Sequence, residues 1–481
     1  SSWFASWTRA QATGNKVALA GSGNYFSVTN NVTAAVEPDA HVTAVGDVEV
    51  RAAVEGNLLH VAGNGSSPLG LLTGVFVNGD LKNGLDRHAE TAVGAGYGHI
   101  ATTNTIDAEI AAGAIVDGAS VSLTADNHFH STGVAVASGV TSGSGFNGSG
   151  MAGEVTNSTR ALISEDATII TRGGTASSLD PQDISVSIPE AETSLLVSAN
   201  DDGSIFSFAG GVLRGRNVGF GVSVAVNIVD RKTQASIGSD PDTAPVLDPA
   251  LAPSVTAQGG ISVRSASGGS QVAVPLAAAV NQSTGSKDYP TGAAAAAVSW
   301  NEISSTTQSY VAGGPAAIAA VTTDSDLIVT AVDTSSIVSV TPTLAYQSET
   351  RTDSASGSVG VSVTSNDISQ NVEARIEHAK LDVGGSVSVL SAGEADIQSH
   401  AISGALTLSA GYAGTVAATH ATNTITGNTQ STMTRVTTSS EANASPDNIL
   451  VLATRENLVN ATCVSAAISS SGADKLALSG G

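Results

Sequence analysis

A short pattern, Asn followed two positions later by Ile or Val, returns along the whole 481-residue chain. The asparagines that anchor it are Asn30, Asn104, Asn157, Asn227, Asn301, Asn366 and Asn423, and successive anchors lie 74, 53, 70, 74, 65 and 57 residues apart by subtraction. The third unit departs from the pattern, because Thr159 stands at its apolar position. Self-similarity at such a period is typical of chains that stack similar units on one another. The repeat therefore predicts a solenoid and not a globule around one pocket.

A hydrophobic residue follows each anchor at one of two distances. It comes six positions later in the first three units and ten later in the last four, at Val36, Ile110, Ile163, Ile237, Val311, Ile376 and Met433. We attribute the four-residue difference to a longer turn between two paired strands. The asparagine itself predicts a ladder of stacked, hydrogen-bonded side chains at a corner of the coil.

Downstream of each anchor comes a short segment in which β-branched and polar residues alternate or run together. The seven segments begin at Asp47, Ser120, Ile184, Ile261, Leu327, Val387 and Ile449. Period-two patterns of this kind indicate strands with one buried face, and the Gly, Asp and Asn residues just before them indicate turns.

The composition favours thin, tightly wound coils. Aromatic residues make up only 4% of the chain, whereas there are 52 glycines, and Ser, Thr, Ala and Val fill most other positions. We predict an all-β fold, a parallel β-helix or β-solenoid of about seven irregular repeats, each with two or three coils of about twenty residues. The alanine run at residues 293–297 is predicted as strand because it occupies the slot just before an anchor. A tandem array of β-sandwiches is the alternative fold, but the period is short for domains of about 100 residues.

The charge balance limits the partners. With 19 basic and 42 acidic residues the formal net charge is −23, so we expect no nucleic-acid binding and no attraction to anionic membranes. No run of eighteen apolar residues is present, so we expect no membrane insertion. The single cysteine, Cys463, lies in a strand-like segment and is predicted to be a buried small hydrophobe.

Three regions are predicted along the chain. Residues 1–29 would form an N-terminal cap or a docking strand, residues 30–455 the solenoid repeats, and residues 456–481 a C-terminal strand or cap. Neither a signal peptide nor an anchor is recognisable, which we interpret as a processed form or a fragment of an exported protein.

The search for chemistry yields weak candidates. No catalytic or cofactor-binding residues are predicted, because the paired carboxylates lie in turn-rich segments where acidic residues are expected as loop formers. Calcium is the one candidate cofactor, with Asp201, Asp202, Asp240 and Asp242 as its candidate ligands. A β-helical polysaccharide-acting enzyme, of the lyase or tailspike type, is the alternative function. It would need a groove with converging carboxylates and aromatic stacking faces.

One unit shows the family resemblance in full: Gly221–Val229 around Asn227, then Ala235–Ile237, then Ala257–Val263. It resembles the strand repeats of giant bacterial extracellular proteins, the leukotoxin-like filamentous adhesins and, more loosely, the filamentous haemagglutinin class. The resemblance implies an extracellular or cell-surface protein that acts as a structural fibre or adhesin. As partners we expect further copies joined head to tail, and a host or cell-surface glycan or protein.

Overall fold

The computed structural model describes residues 2–10, 15–64, 90–175, 193–238, 252–283, 290–314, 317–438, 446–472 and 476–480. Every regular element in these ranges is a β-strand, and we number the strands β1 to β23 in chain order. None of the described residues forms a helix long and apolar enough to span a bilayer. The all-β prediction is confirmed.

The strands form three parallel sheets, and each sheet takes every third strand of the chain. Sheet A contains β1 (Ser2–Ala10), β4 (Val48–Asn64), β7 (Val121–Val140), β10 (Thr193–Gly215), β13 (Gly260–Ser283), β16 (Leu327–Glu349), β19 (Val387–Ser409) and β22 (Ile449–Ser470). Sheet B contains β2 (Val17–Val36), β5 (Thr91–Ile110), β8 (Ser144–Ile163), β11 (Val218–Gly238), β14 (Thr291–Ala312), β17 (Ala355–Glu377), β20 (Tyr412–Thr434) and β23 (Ala477–Gly480). Sheet C contains β3 (His41–Thr43), β6 (Ile115–Gly118), β9 (Thr168–Thr171), β12 (Ser254–Ala257), β15 (Ala319–Thr323), β18 (Ala379–Val383) and β21 (Thr437–Thr438).

One coil therefore consists of a long strand in sheet A, a long strand in sheet B and a short strand in sheet C. This confirms the parallel β-solenoid. It also corrects the predicted coil, because one repeat forms a single coil and not two or three coils of about twenty residues. The strands are the reason: those of sheet B reach 20 to 23 residues, so one coil consumes the whole period.

The coil is wide at one end and thin at the other. In the broad half, the start of each sheet A strand, the end of each sheet B strand and sheet C enclose large aliphatic residues. Ile163, Ile169 and Leu195 are examples, and all three are fully buried. In the narrow half, the ends of the sheet A strands face the starts of the sheet B strands across small residues such as Ala277, Ala295 and Ala405.

Close approach of the two sheets explains the small residues of the narrow half. A Cβ added at Gly211 would lie 2.3 Å from the Val222 carbonyl oxygen, and one added at Gly221 would lie 2.4 Å from that of Ala278. Larger side chains would force the backbones apart, so Gly, Ala, Ser and Thr fill this interior. Ser339 and Thr364, for example, hydrogen-bond across it at 2.7 Å.

The strand assignments are largely confirmed. The segments that begin near Val48, Val121, Ile261, Leu327, Val387 and Ile449 stack in one row of sheet A. The third segment, at Ile184, lies outside the described residues, and Leu195 occupies its place in the row. The alanine run at 293–297 lies in β14, as predicted.

Neither of the two predicted region boundaries coincides with an element end. The boundary at residue 30 falls inside β2, and the boundary at residue 456 falls inside β22. The solenoid therefore begins before Asn30 and continues past residue 455.

Candidate interaction surfaces

The anchor asparagines point into the coil and form two ladders. Asn30 Nδ2 donates to Asn104 Oδ1 at 2.7 Å, and Asn104 donates to Asn157 at 3.0 Å. The second ladder runs from Asn227 through Asn301 and Asn366 to Asn423, with spacings of 2.9, 2.8 and 2.7 Å. The predicted ladder is confirmed, but it lies within the long strands of sheet B and not at a corner of the coil.

The two ladders are offset by four residues along the strand. Asn157 stacks on Arg231, and Asn227 stacks on Gly153. The hydrophobic residues after the anchors nevertheless form one row, because Ile163 stacks on Ile237. The longer-turn interpretation is therefore wrong: anchor and hydrophobic residue share one continuous strand, and the asparagine has moved along it.

A buried polar cluster fills the break between the ladders. Asp201 Oδ1 accepts hydrogen bonds from Asn157 at 2.9 Å and from Asn127 at 3.0 Å. Arg231, only 1% exposed, donates to the Gly268 carbonyl and, at 2.9 Å, to Ser335 Oγ. The cluster thus ends the first ladder on a carboxylate and places a guanidinium beside it.

The buried network continues in the next coils around Asp333. This carboxylate accepts hydrogen bonds from Ser305, Thr307, Ser335 and Gln370, and it is fully buried. A buried carboxylate needs hydrogen-bond donors, and this network supplies four. Sequence reasoning singled out neither Arg231 nor Asp333. Strand alternation could have found Arg231, because it lies four positions after Asn227 on the same strand and therefore shares its inward face.

The two calcium candidates that the structure describes face opposite ways. Asp201 faces the interior and is fully buried, whereas its neighbour Asp202 faces outward, because successive side chains of a strand alternate. Burial raises the pKa of Asp201 to about 6, although the Arg231 charge and the bonds from Asn157 and Asn127 oppose this. Asp240 and Asp242 lie outside the described residues. Among the described residues, no group of three or more His, Cys, Asp or Glu side chains is placed to hold a metal.

A shallow acidic groove of about 450 Å³ lies on the outer surface of sheet A. Asp202, Glu394 and Asp396 line it together with His130, whose Nδ1 lies 2.6 Å from Ser204 Oγ. None of its lining residues is Phe, Tyr or Trp. The groove therefore lacks the stacking faces that a sugar-binding groove uses, and it separates Asp202 from Glu394 and Asp396 by three strand spacings.

At the C-terminal end of the stack, the inward face of β22 is exposed. Ile449 and Val451 are 53% and 43% exposed, whereas Val387 and Val389, stacked beneath them one coil earlier, are fully buried. Cys463 on the same strand is exposed too, so its predicted burial is wrong. The reason is that β23 pairs only with Ala413–Val416, and no described strand lies opposite the rest of β22.

At the N-terminal end, the edges of the first coil are also open in the described part of the chain. Strand β1 pairs only with Gly56–Asn64, which leaves Val48–Glu55 of β4 with one free edge. Along β2, the inward residues Phe26, Val28 and Val32 are only partly buried against the core. Both ends of the stack thus present apolar inward residues beside unpaired strand edges.

Comparison with known proteins adds no relative: no family model, no curated protein and no solved structure matches this chain.

Proposed function

We propose that this chain is an extracellular structural protein, a rod that joins head to tail into a filament and presents its flat faces to adhesive contacts. The observation that carries the proposal is the open C-terminal coil, where inward-facing Ile449 and Val451 are exposed although their counterparts one coil earlier are fully buried. An uncovered strand edge with an apolar face is a ready template for a further strand.

A second copy supplies what this end lacks. At the C-terminal end, most of β20 has an open edge and the inward face of β22 is uncovered, so a further sheet B strand would fit there. Strand β2, the first sheet B strand of the stack, has 20 residues and could take that place in a second copy. The strands at the two ends run in the same direction, because all pairing within the sheets is parallel. A head-to-tail contact of this kind is heterologous and extends without closing on itself.

The asparagine ladders give the stack a matching polarity. Each described rung between two asparagines donates toward the C-terminal end, from Asn30 to Asn104 at one end and from Asn366 to Asn423 at the other. The acceptor end of the ladders therefore lies at Asn30 and the donor end at Asn423. Chemically different ends favour head-to-tail over head-to-head contact.

The proposal is tested by electron microscopy of the purified chain together with a pair of charged variants. Ile449→Lys with Val451→Lys places two charges on the inward face that a stacked copy would cover, so filaments should shorten to single rods. The matched control is Leu450→Lys with Leu452→Lys, which changes the alternate, outward positions of the same strand and should leave filament length unchanged.

Equal filament lengths for the two variants would refute stacking at this end. Short rods from the unmodified chain at every concentration would refute self-assembly. Recording the same images with and without millimolar calcium tests whether the acidic groups take part. For adhesion, the rods would be screened against an array of glycans, with the outward surface of sheet A around the acidic groove as the expected contact surface.

A further inference from the structure

The outer surface of the narrow half carries few full charges on either side of the coil. We define face B as the outward rows of sheet B that pass through Val359, Val361, Val363 and Ser365, and face A as the outward rows of sheet A that pass through Val338, Val340, Pro342 and Leu344. The only Asp, Glu, Lys or Arg at a described position in these rows is Arg9, on the terminal strand β1, although the chain carries 61 such residues, 19 basic plus 42 acidic. Histidines occur at three places, His99, His400 and His420.

Two of these rows are mostly apolar. On face B one row runs along the stack as Val93, Phe146, Phe220, Ala294, Val359 and Val416. On face A one row begins with Arg9 and Gly63 and continues as Val136, Gly210, Leu276, Pro342, Ile402 and Val464. Val359 and Ile402 are each 42% exposed, so these rows face solvent and not a covering element.

The same strands carry charge as soon as they enter the broad half. On β17, Asp367 and Glu373 follow the uncharged stretch, and on β19 Glu394 and Asp396 precede it. The broad half also holds exposed ion pairs, such as Arg160 with Asp107 at 2.8 Å. A chain with a net charge of −23 thus concentrates its charge on one half of each sheet and leaves Arg9 as the one full charge among the described positions of faces A and B.

Large uncharged apolar patches on a protein surface mark contact sites. From the spacings of parallel strands, each face measures about 34 Å along the stack and about 27 Å across, or roughly 900 Å². That is close to the roughly 800 Å² per partner buried in a stable protein–protein interface. Each face is therefore large enough for a stable contact on its own.

The shape of the faces favours one occupant. The side chains stand in straight rows parallel to the stack, at the strand repeat of about 4.8 Å along each row. A partner with the same rows and the same repeat can interdigitate with them along the full length, as two sheets pack face to face. Another copy of this chain has that repeat, and its matching face adds no acidic residue and, on face A, only Arg9 to the contact.

A bilayer fits the faces less well. The open edges of the terminal strands carry backbone groups that hydrocarbon cannot satisfy, whereas water satisfies them when only the faces are covered.

We propose that copies of this chain associate side by side, face A of one copy against face A of the next and face B against face B. Because the two faces lie on opposite sides of a thin slab, each copy can hold two neighbours, and association extends laterally into a ribbon. This inference stands on the faces and not on the stack ends, so it holds or fails separately from head-to-tail filament formation.

One charged substitution on each face tests the proposal. Val359→Glu blocks face B, and Ile402→Glu blocks face A, because each would bury an unpaired carboxylate in the contact. By sedimentation and electron microscopy, the unmodified chain should form ribbons many copies wide. Each single variant should stop at pairs, since one face remains, and the double variant should be one copy wide with unchanged filament length.

The chain offers matched controls on the same two strands. Ser369→Glu lies outward on β17 and Ser388→Glu lies outward on β19, both in the broad half. Neither should change ribbon width. Val359→Ser removes apolar area without adding charge, so it should lower the mean ribbon width. This variant replaces the charged ones if they fail to fold.

Three outcomes would overturn the proposal. The first is an unmodified chain that stays one copy wide at every concentration. The second is an equal loss of width in the controls and the face variants. The third is flotation with neutral phosphatidylcholine vesicles that Val359→Glu and Ile402→Glu abolish while no lateral association occurs, which would assign the faces to a lipid surface.

Discussion

At the scale of single residues, asparagine suits the interior of this coil because its side chain both donates and accepts. Each inner rung donates through Nδ2 to the next coil and accepts through Oδ1 from the previous one, so a buried amide is satisfied by copies of itself. Asn301 also donates to Ser299 Oγ at 2.8 Å within its own strand. Valine could satisfy neither neighbour, which explains why the anchor is not an apolar residue.

Replacement of an inner rung should cost more than replacement of the last one. Asn301→Ala leaves the Asn227 amide nitrogen and the Asn366 amide oxygen without their partners in a buried site, so the free energy of unfolding should fall by about 2–4 kcal/mol. Asn423→Ala removes one hydrogen bond at the half-buried end of the ladder and should cost about 1 kcal/mol. Urea unfolding of the two variants measures the difference, and equal losses would show that the ladder does not act through its inner bonds.

The buried carboxylate at the ladder break should make stability depend on pH. The pKa of Asp201 rises from 3.8 to about 6 on folding, so the folded chain binds this proton more tightly than the unfolded chain. The contribution of this group is therefore full below about pH 4, falls as the pH rises through 6, and amounts to about 3 kcal/mol. Asp201→Asn should remove that component, so the unmodified chain should gain stability relative to the variant as the pH falls from about 7.5 to about 4. Unfolding midpoints measure the difference, and a difference that does not change with pH would contradict the prediction.

At the scale of elements, short-range patterns predicted where strands lie but not how long they are. The sequence predicts a turn between Asn227 and Ile237, yet both residues belong to one strand, β11. Inward positions of the narrow half hold Ala, Ser and Gly, and outward positions hold Val and Phe, so the alternation there is inverted relative to a normal half-buried strand. A prediction that expects large residues at inward positions therefore divides one long strand into several short ones.

The interaction surfaces could be predicted only in part. Strand alternation, applied from Asn227, would have placed Arg231 inside and separated Asp201 from Asp202, because neighbours on a strand face opposite ways. The four-residue shift between the ladders, by contrast, appears in the sequence only as a change from six to ten in the spacing between anchor and hydrophobic residue. The spacing alone does not show which of the two residues moved. Only the register, with Asn157 on Arg231, shows that the anchor moved along the strand. The nearly uncharged faces likewise appear only when residues about 50–75 apart are stacked.

At the scale of the whole molecule, each coil pairs its strands only with those of the coil before it and the coil after it, so stability is largely a sum of neighbouring contacts and need not be uniform. The broad core is continuous from Val50 to Val389, whereas the last coil adds no fully buried aliphatic residue in β22. Local opening should therefore begin at the ends, where apolar contacts are fewest.

Hydrogen exchange on dilute chains that sediment as single copies measures this gradient. Amides of β13 and β16, which have a paired strand on both sides, should exchange at least about 100-fold more slowly than amides of β22, whose described partner is β19 alone. The same amides of β22 should slow by at least about tenfold once filaments form, because a stacked coil would cover them, while those of β13 should not change. Uniform protection of all coils in single chains would show that the stack opens as one cooperative unit and that the C-terminal coil needs no partner.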